Sequence, residues 1–463
     1  MLCSAQLVAF VLQAGPTVDF NAAAGPLMSQ AQESRGAYAL LSDLVDHVGP
    51  RLAGSSGAEA AIAWAMAQFS ALGLEPRKES VLVPVWVRGI EQGEVLAAPG
   101  RQGQVLAITA LGGSPGTPIG GLKAQVVEVS SLSQLQALGA AVTGRIVFFN
   151  HAMAVASDYR RFGELRNLGP STAAKQGAVG ALVRSLATAS IRSPHTGQTQ
   201  FQEGQAAIPA AAISVEDAEL LHRLLASGPV EVRLVLSCRL LPPVQSFNVV
   251  AELRGRESPQ EVVLLGAHLD SWDLAVGAQD DGAGVALALE TARLLGGLRE
   301  RPRRTVRFVL FMNEENGLSG AKAYAAAHGP ELPQHVAAME MDSGAGRPLG
   351  VAVQAGGGAS ALVEAWLPPL AAVGAETLLA RDAFGADLTP MAIAQVPLVA
   401  VVQDVSHYFD VHHSAGDTLD KVSPEVLSQT SAAVAWVTYA LAESPTTLPR
   451  RATSASSSPA RTP

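Results

Sequence analysis

From Asn248 onward, apolar runs of strand length alternate with segments of helix length, and no other property of this 463-residue chain constrains its fold as tightly. Strands are expected at Val249–Leu253, Glu261–Ala267, Val306–Met312, Val336–Met341 and Leu398–Gln403. Helices are expected at Gly284–Leu295, Ser319–Ala327, Ser360–Val373 and Pro424–Leu441. This order predicts an α/β fold with a mainly parallel sheet covered by helices on both faces. In such sheets ligands bind beyond the carboxyl ends of the strands, so the residues that follow each run matter most.

Those residues form a chemical set. His268 and Asp270 close one run, Asp280-Asp281 precede a helix, Glu314-Glu315 follow the run ending at Met312, and Asp342 follows Met341. His412-His413 and Asp417 lie on a late loop, and the chain has only ten histidines. Taken singly, each has an ordinary reading: a capped surface histidine, helix-start carboxylates, a solvated glutamate pair, a turn aspartate, a loop histidine pair. Taken together, imidazoles and carboxylates are the ligands of a hydrolytic metal pair. Asp280, Glu315 and His413 are assigned to one ion, and Asp280, His268 and Asp342 to the other, with Asp280 shared. Two ions about 3.5–4 Å apart would clamp an attacking hydroxide and a substrate oxygen. Glu314 is then free to act as general base, passing the proton to the leaving amine. Asp270, two residues past His268, is expected to hold that imidazole in one tautomer, and Asp417 is expected to orient His413.

The rest of the chain divides around this set. Residues 1–30 are read as a possible signal or disordered leader, 31–88 as the first part of the catalytic domain, and 89–240 as an inserted smaller domain. Residues 241–444 complete the catalytic domain, and 445–463 are a tail whose Ser, Thr, Pro and Arg content predicts disorder. The first ordered helix is expected near Ala37–Val48. The insert reads as β-rich α/β, with short strands at Gln125–Val129, Arg145–Asn150, Val179–Arg184 and Ala211–Val215, and helical pieces near Ser171–Gln176 and Glu216–Leu225. Hydrophobic residues make up 48% of the chain, enough for two cores. A net charge of -9 leaves no basic face for nucleic acid. Two cysteines, Cys3 and Cys238, exclude a disulfide framework and a thiolate zinc site, and Cys238 is expected to be a buried thiol. No membrane span is expected. The apolar Met1–Ala14 lacks a basic start but, with Ala-rich Asn21–Gly25 beyond it, is compatible with export.

The motifs His-x-Asp, Asp-Asp-Gly-Ala-Gly, Asn-Glu-Glu, Met-Asp and His-Ser-x-x-Asp-Thr together resemble the co-catalytic zinc exopeptidases, the group of zinc aminopeptidases and glutamate carboxypeptidases. His412-His413-Ser414 with Gly416-Asp417-Thr418, and Gly49-Pro50-Arg51 with Gly54-Ser55, resemble its carboxypeptidase Q-like dipeptidase branch. Lys175-Gln176-Gly177-Ala178-Val179-Gly180 and Ile208-Pro209-Ala210 resemble the protease-associated domain often inserted in that family. The resemblance implies two Zn2+ per chain, the ligand set above with Glu314 as base, a peptide substrate, a homodimer and a secreted or periplasmic location. Some relatives carry an oxyanion-stabilising tyrosine just before the last histidine ligand. Here that place is His412, so His412 or Tyr408 is expected to take the role. The implied activity is cleavage of dipeptides or short peptides at a free terminus. A zinc amidohydrolase or cyclase acting on a non-peptide amide is the second reading. A non-catalytic binding protein on this fold is the third, and the complete set of five ligands and Glu314 speaks against it.

Overall fold

The computed structural model describes residues 20–381 and 384–451. Two sheets dominate it. The larger has seven strands in the order Arg77–Val87, Arg239–Leu253, Arg304–Phe311, Ser258–His268, His335–Glu340, Leu398–Gln403, Pro348–Gln354. Its centre is parallel, and its flanking strands are antiparallel. The central strands are largely apolar because both faces are covered; every residue of Arg304–Phe311 is buried, with Arg304 and Arg307 paired to Glu261 and Glu252. On one face pack the helices Gly36–His47, Ser56–Ala71, Ala283–Gly296 and Pro424–Glu443, around a core that includes Leu41, Phe69, Leu287, Phe308 and Trp436. On the other face Ser319–Ala327 and Thr389–Ile393 cover Val309, Phe311, Ala338 and Leu398.

The second sheet has eight strands, all between Glu91 and Leu236. The chain leaves the large sheet at Val87 and returns at Arg239, and these two ends are paired in register. Arg88 sits at the crossing point. Its guanidinium holds Asp273 of the catalytic domain at 2.5 Å and Glu91 of the insert at 3.0 Å. Cys238, at the return, is a buried free thiol.

Several expectations are corrected. Ordered structure begins before Ala37: the helix Phe20–Ser34 buries Leu27, Met28 and Ala31 in the main core. Residues 1–19 of the expected leader lie outside the described residues. The helix expected over 360–373 is two pieces, Ala359–Glu364 and the 3-10 turn Pro368–Val373. Pro368-Pro369 cannot donate the main-chain bonds a continuous helix needs. In the insert, the short helix expected at 171–176 is the end of one spanning Asp158–Lys175. The tail is docked through its first residues: Leu448 is buried, and Arg450 donates to Leu332 O, His335 O and Ala394 O. Residues 452–463 of the expected tail lie outside the described residues. Among the described residues no helix is long and apolar enough to cross a membrane.

Candidate metal centre

Five segments meet at the carboxyl end of the parallel strands, one each for His268, Asp280, Glu315, Asp342 and His413. The strand Ser258–His268 ends on His268, whose Nε2 lies 3.1 Å from Asp280 Oδ1 and 3.5 Å from Asp342 Oδ1. The late loop brings His413 Nε2 to 3.2 Å from Asp280 Oδ2 and 3.0 Å from Glu315 Oε2. Asp280 therefore faces His268 with one oxygen and His413 with the other. His268, Asp280, Glu315, Asp342 and His413 converge, although 145 positions separate the first from the last. Their donor atoms fall into overlapping groups within 4.8 Å, which also take in Asp281 and His412.

The loops that carry these groups are tightly held. Asp281 supports rather than faces the cluster: its carboxylate accepts from the main-chain N of His268 at 3.0 Å and of Gly284 at 3.1 Å, which fixes the start of the helix Ala283–Gly296. Asp417 accepts from the N–H groups of Gln279 at 2.7 Å and Asp280 at 3.1 Å. It orients the Asp280 loop rather than His413, the residue that its sequence position predicts. Asp270 also differs from expectation. The contact to His268 Nδ1, at 3.0 Å, is made by the Asp270 main-chain carbonyl, and the carboxylate stands 4.0 Å away. The carboxylate accepts instead from the N–H groups of Asn313 at 2.6 Å and Glu314 at 3.1 Å, and so sets the loop that carries the two glutamates. Asn313 and His413 both lie in the left-handed backbone region, with φ of 70° and 58°. Asn and His tolerate that region better than bulkier residues.

Sequence reasoning missed three residues. Arg51, fully buried, donates to the carbonyls of Leu269, Val276 and Gly277 at 2.7, 2.5 and 3.0 Å, so one guanidinium spans the loop from His268 to Asp280. Its motif was visible near the N-terminus, but not its contacts. Thr196, from the insert, donates its N–H to His413 O at 2.8 Å, and its carbonyl lies 3.3 Å from His413 Nδ1. Arg166, on the long insert helix, is only 7% exposed; it donates to Thr196 O at 3.2 Å and to the Tyr159 hydroxyl at 2.9 Å. Among the described residues no carboxylate pairs with it. Nothing in the local sequence of either insert residue marks it.

Electrostatically the cluster is frustrated without a cation. Burial pushes the Glu314 carboxyl well above the usual carboxylate range, and Asp342, Glu315 and Asp387 add repulsion. Burial raises Glu315 to about 6 and Asp417 to about 7. Glu315 Oε1 is buried with no hydrogen-bond partner. Like charges this close are tolerated when a cation lies among them, and the donor set of imidazole and carboxylate suits a divalent metal. His412 stacks on His413 at 3.6 Å, with its Nε2 3.3 Å from Asp280 Oδ2 and its Nδ1 unpartnered. Tyr408, four residues earlier, lines the same cleft. That cleft has a volume of about 750 Å³ and runs between the catalytic domain and the insert.

The comparisons agree with this architecture. The model of peptidase family M28 matches residues 248–438. Human carboxypeptidase Q is 37% identical over 415 residues, covering 89% of this chain and 86% of the human one. A crystal structure of a peptidase M28 precursor from Shewanella amazonensis SB2B superposes with a TM-score of 0.90 at 38% identity, covering 94% of this chain and 99% of that one. A zinc aminopeptidase from Bacillus subtilis shares the fold, with a TM-score of 0.67 at 20% identity, covering 89% of this chain and 96% of that one. Similarity that spans both domains at this identity makes the chain a hydrolase that belongs to peptidase family M28.

Proposed function

We propose that the protein is a two-zinc exopeptidase that hydrolyses dipeptides or short peptides at a free terminus. His268, Asp280 and Asp342 would hold one ion, and Asp280, Glu315 and His413 the other. The observation that carries this reading is the placement of Asp280, with its two oxygens divided between His268 and His413. His413 is preferred to His412 because it also meets Glu315, and because the Thr196 carbonyl holds its Nδ1, leaving Nε2 for metal. When bound, the ions would polarise the scissile carbonyl and make water acidic enough to attack near neutral pH.

The side chains supply the remaining steps. Glu314 borders the cleft with its main-chain N–H fixed by Asp270, a position from which it takes a proton from the attacking water and returns it to the leaving amine. Tyr408 or His412 would face the oxygen on which negative charge develops. Among the described residues Arg166 has no carboxylate partner, and a buried charge is normally paired. It sits 3.5 Å from His413 Nδ1, close enough to receive the α-carboxylate of a residue just beyond the scissile bond. This favours the carboxy-terminal, dipeptidase-like reading. The insert is read as a protease-associated domain, and export and a homodimer follow from the same reading.

Metal analysis combined with a peptide panel tests the proposal. The expected result is two zinc ions per chain and hydrolysis of free dipeptides, with C-terminally amidated ones cleaved poorly. Hydrolysis of non-peptide amides alone would favour the amidohydrolase reading instead.

A further inference from the structure

A second, much smaller cavity borders the metal-type residues. Its walls include Trp272, Asp280, Glu315, His413, Ser414 and Asp417, and its volume is about 10 Å³. That is the room one water molecule needs. Three buried polar atoms of these residues have no hydrogen-bond partner among the described residues: Trp272 Nε1, Glu315 Oε1 and Asp280 Oδ2. We propose that a single water joins them, accepting from the indole N–H and donating to the two carboxylate oxygens, and that Trp272 is thereby a positioning residue for Glu315. The proposal rests on the two-zinc reading, in which Glu315 and Asp280 hold the same ion.

Three observations carry it. First, the donors and acceptors balance. One N–H and two carboxylate oxygens are what a water with three hydrogen bonds satisfies. The other polar side chains of the wall already have partners: Ser414 Oγ donates to Val411 O, and the Asp417 carboxylate accepts from the N–H groups of Gln279 and Asp280. Second, the indole is wedged in place. Trp272 is 4% exposed and packs in the core of the insert, edge-on to Trp86 with ring centroids 6.4 Å apart. A β-carbon at Gly112 of the insert would come within 2.2 Å of Trp272 Cη2, so the ring lies directly on insert backbone. The next residue, Asp273, is held by Arg88. A buried indole N–H usually finds a partner, and a ring so confined must find it where it stands. Third, the two oxygens of Glu315 are divided. Oε2 lies 3.0 Å from His413 Nε2, and Oε1 is the one without a partner. A bond to Oε1 would fix the carboxylate with a single oxygen presented to the ion. Ligand carboxylates are oriented by such outer contacts, whose loss costs about tenfold to a hundredfold in metal affinity.

Diffraction from wild-type crystals grown with zinc tests the bridge. One water within hydrogen-bond distance of Trp272 Nε1, Glu315 Oε1 and Asp280 Oδ2 is expected; a dry cavity, or an indole N–H bonded elsewhere, overturns the proposal whether or not any variant folds. Competition with a chelator tests the role. Trp272→Phe keeps an aromatic ring, removes the donor and should weaken zinc binding by about tenfold or more. The same substitution made in Glu315→Ala should cost about twofold or less, because the group it positions is already gone. Trp86→Phe is the packing control: the Trp86 N–H donates to Ser114 O at 2.9 Å, and this variant should bind zinc as the wild type does. Unchanged zinc affinity in Trp272→Phe, an equal loss with and without Glu315, or an equal loss in Trp86→Phe overturns the positioning role. A wild type that shows the bridging water but takes up no zinc would sustain the bridge and overturn the two-zinc reading.

Discussion

Glu314 and Glu315 are neighbours with different partners, and their difference is the centre of the proposed chemistry. Glu315 meets His413 at 3.0 Å, while Glu314 is tied through its main chain to Asp270 and leaves its carboxylate toward the cleft. Glu314→Gln keeps the shape and removes the basic oxygen. It should lower kcat by about 10²-fold or more with zinc content unchanged in elemental analysis; near-normal turnover would remove Glu314 from that role. His413→Ala should instead lower zinc affinity, by about tenfold or more. Full occupancy there would transfer the ligand role to His412, whose Nε2 is almost as close to Asp280. At this scale the sequence was a good guide to which residues meet and a poor guide to how. The strand-end and loop carboxylates were identifiable by type and place. That Asp270 acts through its carbonyl on His268 and through its carboxylate on Glu314 depends on loop geometry that no spacing encodes.

Among elements, the strand-helix alternation was legible because each parallel strand is buried on both faces and so carries a mainly apolar stretch, such as Val262–Leu265 or Phe308–Phe311. The antiparallel strand Pro348–Gln354 was not read, since its mix of glycine, proline and small residues has no strong period. The helix Phe20–Ser34 was hidden by an Ala- and Gly-containing stretch that resembles a processing site, yet it buries Leu27 and Met28. The 269–280 loop depends on a contact from outside its own region, the Arg51 guanidinium. Arg51→Met would leave three carbonyls, two of them fully buried, without their donor and should cost about 3 kcal/mol in denaturant unfolding. Zinc affinity should fall with it, because Asp280 follows directly on that loop. Unchanged stability would mean that the loop holds itself.

For the whole molecule, two ionic features set how stability responds to conditions. His328 lies between Glu79 at 3.0 Å and Glu331 at 3.1 Å, joining the edge strand to the far side of the sheet. Glu79 raises the His328 pKa above 6.5, so this contribution is full below 6.5 and is lost as pH rises through the higher folded value. The Glu79 pKa is lowered below 4.5 by its hydrogen bonds to His328 and Arg77, so its share is present above 4.5 and is lost as pH falls through the lower folded value. Both are therefore in force between 4.5 and 6.5. His328→Gln should cost roughly 1 kcal/mol at pH 5.5 and less at pH 9 in thermal melts; an equal loss at both would refute the assignment. The second feature is the carboxylate cluster itself. Removing metal with a chelator should lower Tm, and zinc at about a hundredfold excess over its Kd should restore about 2.7 kcal/mol. An unchanged melt would show that the cluster does not bind the ion in the folded state.

The Thr196 carbonyl joins these scales. A loop of the inserted domain reaches across the cleft to grip the ring of His413, and its N–H grips the same residue's carbonyl. The insert is thus no detachable accessory. A hinge motion that parted the two domains would break both of these hydrogen bonds to His413. On the proposed ligand set, a chimera that exchanges this domain without keeping Thr196 should bind zinc more weakly, because the ring of His413 loses its support.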